Sequence, residues 1–522
     1  MASYRDLIEV TFVDNTSYDV YDSSDVVGVV LDYHWGPANQ LLRLDRSAFS
    51  RYFPESIPVG AKSVPLANYN TFAQLKKAFD SGISRVEIYR PVPVGDNSWK
   101  YNQINFTVAS TISGSATLSS TRFDPDADIS FSLIYPGFLP QSFAPGCKNV
   151  GISLEIVNNE AKVIFFGTTG TTFTTIESFE GGFDEQQIVD GKPFYLPRVL
   201  ENSQFIRCQV NQAPTSQSAP EAKVEFKAYS ELTNIPVVDD TDDVITNILN
   251  TTFSDIQQSA ATMFPATYQE KTVAAVQALA AKRLDCIAVV GYPLTNNFDK
   301  ESILDYKSTL VQDMMSCFVV CRETVSIFGQ KVSSNGVGGF CGKTALVASQ
   351  YRINQCASAA TYGKYSTTLY QALNFDDVLE LHPKGVISIY NSITGPEIFG
   401  IRDLHSRQSS YFAQLNVARV TSRILAQIFP IAIEAIHTDA ASNPSTRQSF
   451  SVRFNSVLGN FAAAQNIKNQ SNADVGDQVN TDLTTQGGRI FNVVLNIWYI
   501  GLVEKVSIKI VATDSTITAE VI

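Results

Sequence analysis

The stretch that most constrains the fold is Arg489 to Ile522, because it holds three successive runs with the two-residue period of a β-strand. In the first, Phe491, Val493, Leu495 and Ile497 share one face while Asn492 and Asn496 share the other. In the second, Val506, Ile508 and Ile510 alternate with Lys505, Ser507 and Lys509. The third carries Ile517, Ala519 and Val521 after the polar break Ala512-Thr513-Asp514-Ser515. A chain end normally frays, and a strand with an apolar face needs a partner edge. The third run must therefore fold back into its own sheet or add to that of a neighbouring copy, and the neighbour is the expectation.

The other end mirrors it. Leu7 to Val13 reads as a short strand with Ile8, Val10 and Phe12 on one face, and the polar segment Asp14 to Asp25 separates it from the next element. A loose strand on a linker at each end is the pattern expected of subunits that pair by exchanging strands.

Composition narrows the function classes. At 522 residues the chain is too long for one core. No apolar run approaches the roughly 20 residues that a spanning helix needs. MASYRDLIEV has neither the basic flank nor the apolar core of a secretory leader, so synthesis and assembly in a cytoplasm are expected. A net charge of −12 argues against a broad basic surface for nucleic acid.

Val26 to Leu31 reads as a buried strand and Ser47 to Phe53 as a short helix. From about Ser56 to Tyr229 many short β-type runs are broken by Gly, Pro, Ser and Thr, the texture of a β-rich domain. Thereafter helix and strand alternate. Tyr268 to Leu284 aligns Val273, Val276, Leu279 and Ala280 on one stripe, and Ile287 to Val290, Ser316 to Cys321 and Thr324 to Phe328 follow as strands. A long helix starting near Leu415 carries Val417, Val420, Ile424, Leu425 and Ile428, and Pro430 is expected to kink or end it. A second, Ser445 to Ile467, aligns Phe450, Phe454, Val457, Leu458 and Phe461, and a polar loop, Lys468 to Gly488, leads to the terminal strands.

Candidate chemistry is sparse. Gly336 to Thr344, GVGGFCGKT, ends like a phosphate-binding loop, but Val337 stands where the first glycine must be, so a Gly-rich loop feeding a helix near Thr344 is expected instead. The seven cysteines (147, 208, 286, 317, 321, 341, 356) lack metal-site spacing and read as buried apolar side chains. The odd count leaves an intersubunit disulfide open, with Cys147 or Cys208 the candidates. No convergent His, Cys or carboxylate set marks a catalytic or metal site, and no cofactor is expected.

Several of these pieces, in collinear order, resemble the contractile tail sheath proteins of bacteriophages. The buried strand followed by His34-Trp35-Gly36-Pro37-Ala38-Asn39 and a helix ending at Phe53-Pro54 is similar to the family's opening, which usually has Phe-Gly there. Tyr135-Pro136-Gly137 with Asn149 to Leu154, then Ile176 to Phe179, Asp190 to Tyr195 and Asn202-Ser203, resemble its outer domain. Tyr268 to Leu284 with its following strand resembles the core. So do Gly385 to Tyr390 with Pro396 to Leu404, and Leu415-Asn416-Val417-Ala418-Arg419. Ser388, Phe399 and Asp403 stand where the family has Asn, Trp and Thr.

The resemblance implies a structural, non-enzymatic subunit. Its α/β (α+β) core would be built from residues 26–55 and 235–511, with 56–234 inserted as a β-rich outer domain. Residues 1–25 and 512–522 would be arms. It also implies hexameric rings stacked helically around a tail tube protein, with baseplate and tail terminator proteins at the ends and neither nucleic acid nor membrane bound directly. The place would be a virion tail that contracts to drive its tube through a host envelope, or the related sheath of a tailocin or other contractile injection system. The strand-exchange residues would be Ile8, Val10, Phe12, Val506, Ile508, Ile510, Ile517, Ala519 and Val521. Arg453, Lys468 and Arg489 are the cations expected to face the tube.

Overall fold

The computed structural model describes residues 26–91, 99–232, 243–254, 260–265, 269–481, 487, 489–502, 508–512 and 517–521. The strand expected around Ile8, Val10 and Phe12 lies outside these residues, as does Val506.

Apolar runs without polar alternation build a sheet covered on both faces. Val26–Val30, Ile287–Gly291 and Ser316–Val320 are buried at every position. They belong to an eight-stranded sheet in the order Leu41–Asp45, Arg85–Tyr89, Val26–Val30, Ala260–Met263, Ile287–Gly291, Ser316–Val320, Val386–Ser392, Gly395–Phe399. The two edge strands are antiparallel to their neighbours and all inner pairs are parallel. The Glu270–Arg283 helix buries Val273, Val276, Leu279 and Ala280, the stripe its spacing predicts.

The expected division at residue 55 does not hold. The Arg85–Tyr89 strand, placed in the β-rich insert on its texture, pairs in parallel with Val26–Val30 and forms part of the large sheet. The Asn70–Ser81 helix before it packs along the Val337–Gln350 helix. A five-residue run such as RVEIY looks the same in a parallel sheet and in a β-sandwich, so texture could not place the boundary.

Between that strand and Ala260–Met263 lies a block of β-structure. One antiparallel sheet has the order Ile206–Val210, Ile129–Leu133, Tyr101–Val108, Ile112–Ser119, and another Ala219–Glu225, Asn149–Val157, Glu160–Thr169, Thr172–Gly182. Ile104, Phe106, Ile129, Phe131, Ile152, Leu154, Val163 and Phe165 of these sheets share one apolar cluster with Val27, Val29 and Val86 of the large sheet.

The Leu415–Ala435 helix contains Pro430 and continues past it for more than a turn, so the proline does not end it. The lost hydrogen bond is offset by packing, since Ile431 and Ala435 beyond the proline rest on the apolar cluster of Ile424, Ile428 and Phe454. The Pro444–Ala463 helix starts with Pro at its first position and is capped by Asn443, whose side chain accepts from the Ser445 N–H at 3.0 Å. It buries Phe450, Phe454, Val457, Leu458 and Phe461, the row its spacing predicts. The loop expected from Lys468 to Gly488 contains a short strand, Asn472–Asp474, paired antiparallel with Val494–Asn496.

Candidate assembly surface

The terminal segment is anchored to the two long helices as far as Leu502. Phe491, Val493, Leu495 and Ile497 pack against the cluster formed by the two long helices, as their alternation predicts. The Tyr499 hydroxyl lies 2.6 Å from Thr421 Oγ1, Asn416 Nδ2 donates to the Ile500 carbonyl at 3.1 Å, and the Leu502 N–H donates to Gln414 Oε1 at 3.2 Å. Beyond Leu502 the next described residues are Ile508–Ala512 and Ile517–Val521, which pair with each other in an antiparallel hairpin. Among the described residues this hairpin joins no other sheet of the chain.

The expected lone end strand is thus a hairpin, with Ile508 opposite Val521 and Ile510 opposite Ala519. The arm boundary drawn at 512 falls inside a strand. The polar break after the second run, read as a short linker, is the length a hairpin loop needs.

Two further features of this surface carried no expectation. Ile490, Val494 and Trp498 point away from the helices and are exposed, each on the opposite parity to the packed residues. The alternation that placed Phe491 to Ile497 could have found them. Val494–Asn496 pairs only with Asn472–Asp474 among the described residues, so one of its edges is unpaired.

The three expected tube-facing cations lie on different elements. Arg453 Nη1 lies 2.7 Å from Glu434 Oε2, and its guanidinium sits over the Phe450 ring at 5.6 Å, so it links the two long helices. Lys468 is exposed next to Trp498, whose carbonyl accepts from the Lys468 N–H at 3.2 Å. Arg489 is exposed at the start of the same terminal segment.

The phosphate-loop likeness dissolves. Gly336 is the N-cap, with φ +77°, and the helix starts at Val337 rather than near Thr344. The glycines serve packing: a Cβ on Gly338 would lie 1.9 Å from the Gln74 carbonyl oxygen, and one on Gly342 2.3 Å from that of Ala78. Lys343 is held below the ordinary lysine range by partial burial. All seven cysteines are buried, as expected of small apolar side chains, Cys147 and Cys208 among them. Burial pushes the Cys356 thiol up to about 12 and Cys208 and Cys317 well above their usual value, the opposite of a reactive thiolate. Among the described residues no three His, Cys, Asp or Glu side chains come together as a metal site, and no helix is long and apolar enough to cross a membrane.

No protein-family model and no curated protein sequence matches the chain. Solved structures do. A sheath tail protein of Desulfitobacterium hafniense (DSY3957) aligns over 99% of this chain and 99% of its own at 11% identity and a TM-score of 0.54. The sheath tail protein Lin1278 of Listeria innocua aligns over 88% of this chain and 90% of its own, at 12% identity and a TM-score of 0.55. The helical sheath of the anti-feeding prophage in its contracted state aligns over 97% and 98%, at 10% identity and a TM-score of 0.51. Over nearly its whole length, the chain has the fold of the contractile tail sheath proteins.

Proposed function

We propose that the chain is the structural subunit of a contractile sheath, polymerising as hexameric rings stacked in a helix around a tube made of another protein. The observation that carries this reading is the end-to-end fold match with sheath tail proteins, joined to a C-terminal hairpin that among the described residues joins no other sheet. Open strand edges are a liability unless they are meant to pair, and main-chain hydrogen bonds to a neighbour's edge give such pairing its strength. In this reading the arms are residues 1–25 and the segment beyond Leu502, and the β-block of residues 99–232 faces outward. Head-to-tail contacts of this kind need not close on themselves, so they extend into long assemblies. Contraction is a change between two packings of rigid subunits, with the arms keeping neighbours joined. Lys468 and Arg489, both exposed, offer cations toward the tube, with Arg453 paired to Glu434 across the two long helices. Baseplate and terminator proteins close the two ends, and the assembled place is a virion tail. The fold likeness to the anti-feeding prophage sheath favours a second setting, a tailocin or injection system, with the same subunit role.

Removing the arms tests this. A chain lacking residues 1–25, or one ending at Leu502, is expected to remain a folded monomer that melts within about 3 °C of the full chain, because both cuts leave every described residue of the apolar clusters in place. Neither should form sedimenting polymer under conditions where the full chain does. Either truncated chain assembling into full-length tubes would overturn strand exchange as the basis of assembly.

A further inference from the structure

The joint between the large sheet and the β-block is stitched across a buried polar seam. Arg90, fully buried just beyond the Arg85–Tyr89 strand, donates from Nε to the Tyr33 carbonyl at 2.6 Å and from Nη1 to that of Gly36 at 2.9 Å. Its Nη2 donates to the Pro136 carbonyl, on the β-block side, at 3.1 Å. The Phe138 N–H donates to the His34 carbonyl at 2.9 Å and the Gly137 N–H to that of Lys100 at 2.7 Å. Gly137 has φ +107°, and a Cβ there would lie 1.9 Å from the His34 carbonyl oxygen, so the two backbones touch. Trp99 Nε1 donates to Asp32 Oδ1 at 2.6 Å.

His34 sits in the middle of this seam with no exposure to water. Its Nδ1 shares a 3.1 Å hydrogen bond with the Tyr69 hydroxyl, and its Nε2 is buried without a partner among the described residues. We propose that His34 is an acid-sensitive latch: taking up a proton there opens the joint between the large sheet and the β-block while the large sheet stays folded.

The argument is electrostatic and geometric. Facing the ring are Tyr33 from its own segment, Trp99, Arg90 from just beyond its strand, and Tyr69 from the turn before the Asn70–Ser81 helix, with Asp32 close to Tyr69 and Arg90. Tyr229 lies beyond Tyr69 and Tyr101 near Arg90. Burial pushes Tyr33, Tyr69 and Tyr229 up, so they carry no charge in acid. The Asp32 carboxylate is engaged by Trp99 and attracts Arg90, and Glu55, near Tyr33, is paired with Lys76 at 3.1 Å. Among the described residues, an imidazolium would therefore lie beside a buried guanidinium without a carboxylate of its own, and burial and Arg90 already hold His34 well below the usual histidine range. The sign follows: a histidine depressed in the folded state contributes stability above about pH 6.5 that is lost as pH falls. Each pH unit below about 6.5 favours the open, protonated seam by about tenfold until the folded-state value is passed.

Hydrogen exchange on the full-length chain tests this, following peptides that contain Gly137 and Phe138 against those of Ile287–Gly291, with rates corrected for the intrinsic pH dependence. Between pH 7 and pH 4.5 the seam amides should exchange at least about tenfold faster, with the sheet amides unchanged. In His34→Gln, which cannot take the proton, the seam response should fall below about twofold. Tyr69→Phe, which keeps the titrating ring, should retain it. A wild-type seam insensitive to acid overturns the proposal whatever the variants do, and so does a His34→Gln chain that opens as the wild type does.

Discussion

Gly338→Ala is expected to destabilise the chain by about 3 kcal/mol, a large effect for the addition of one methyl group. The new Cβ would lie 1.9 Å from the Gln74 carbonyl oxygen and 2.8 Å from its Cα, and these are backbone atoms that no rotamer change can move. The Gly338 N–H also donates to Gln74 Oε1 at 2.7 Å, so separating the helices breaks a buried hydrogen bond as well. Gly342 repeats the contact one turn on, against Ala78, so the two helices meet along a stripe that only glycine permits. Gly459→Ala is the control. It lies in the Pro444–Ala463 helix with nothing within 4 Å of its added Cβ, so it should stabilise by about 0.5–1 kcal/mol through helix propensity. Urea denaturation separates the outcomes. Equal, small effects at both positions would show that the helices are not in contact through Gly338.

Glu323→Ala is expected to cost about 3–5 kcal/mol, because it removes the acceptor from a buried network rather than a surface ion. Glu323 has no exposure and accepts from Ser334 Oγ at 3.1 Å, the Tyr365 hydroxyl at 2.9 Å and Thr367 Oγ1 at 2.5 Å. Gln74 Nε2 donates on to Ser334 Oγ at 3.0 Å, which joins the network to the glycine-mediated helix contact. Lys77 Nζ lies 4.0 Å from Glu323 Oε2 and 4.7 Å from the centre of the Tyr365 ring. Alanine would leave three hydroxyls without their shared acceptor, while Lys77 Nζ keeps its 2.6 Å hydrogen bond to the Ser366 carbonyl. Lys77→Met should cost less, about 1–2 kcal/mol, because the carboxylate keeps its three hydroxyl donors. The double variant should cost clearly less than the sum, since each single change exposes the other group's unmet charge. An additive double variant would mean that Lys77 and Glu323 do not act on one another.

These two networks mark where sequence reasoning stops. Period and burial made the Glu270–Arg283 stripe, the Phe450 to Phe461 row and the buried Val26–Val30 strand legible, because each depends on local spacing alone. Phe491 to Ile497 were legible for the same reason. What escaped depends on distant partners. GVGGFCGKT resembles a loop because four of its residues are glycine, and the Asn70–Ser81 helix packed against Gly338 and Gly342 explains why those two are small. RVEIY joined the large sheet because Val26–Val30 offered a parallel edge, which no pattern within those five residues records. Arg453 looked available until Glu434, on the preceding helix, came within 2.7 Å. At the C-terminus the strands were legible and their pairing was not. Two alternating runs around a short polar break describe a hairpin and a pair of exchanged strands equally well.

Negative-stain electron microscopy of the purified full-length chain, concentrated alone and again with a candidate tube protein, tests the central claim most directly. The account predicts hollow, transversely striated tubes with six-fold end views, formed through the terminal arms and absent from the chain ending at Leu502. Monomers or closed particles at every concentration, with and without the tube, would contradict it.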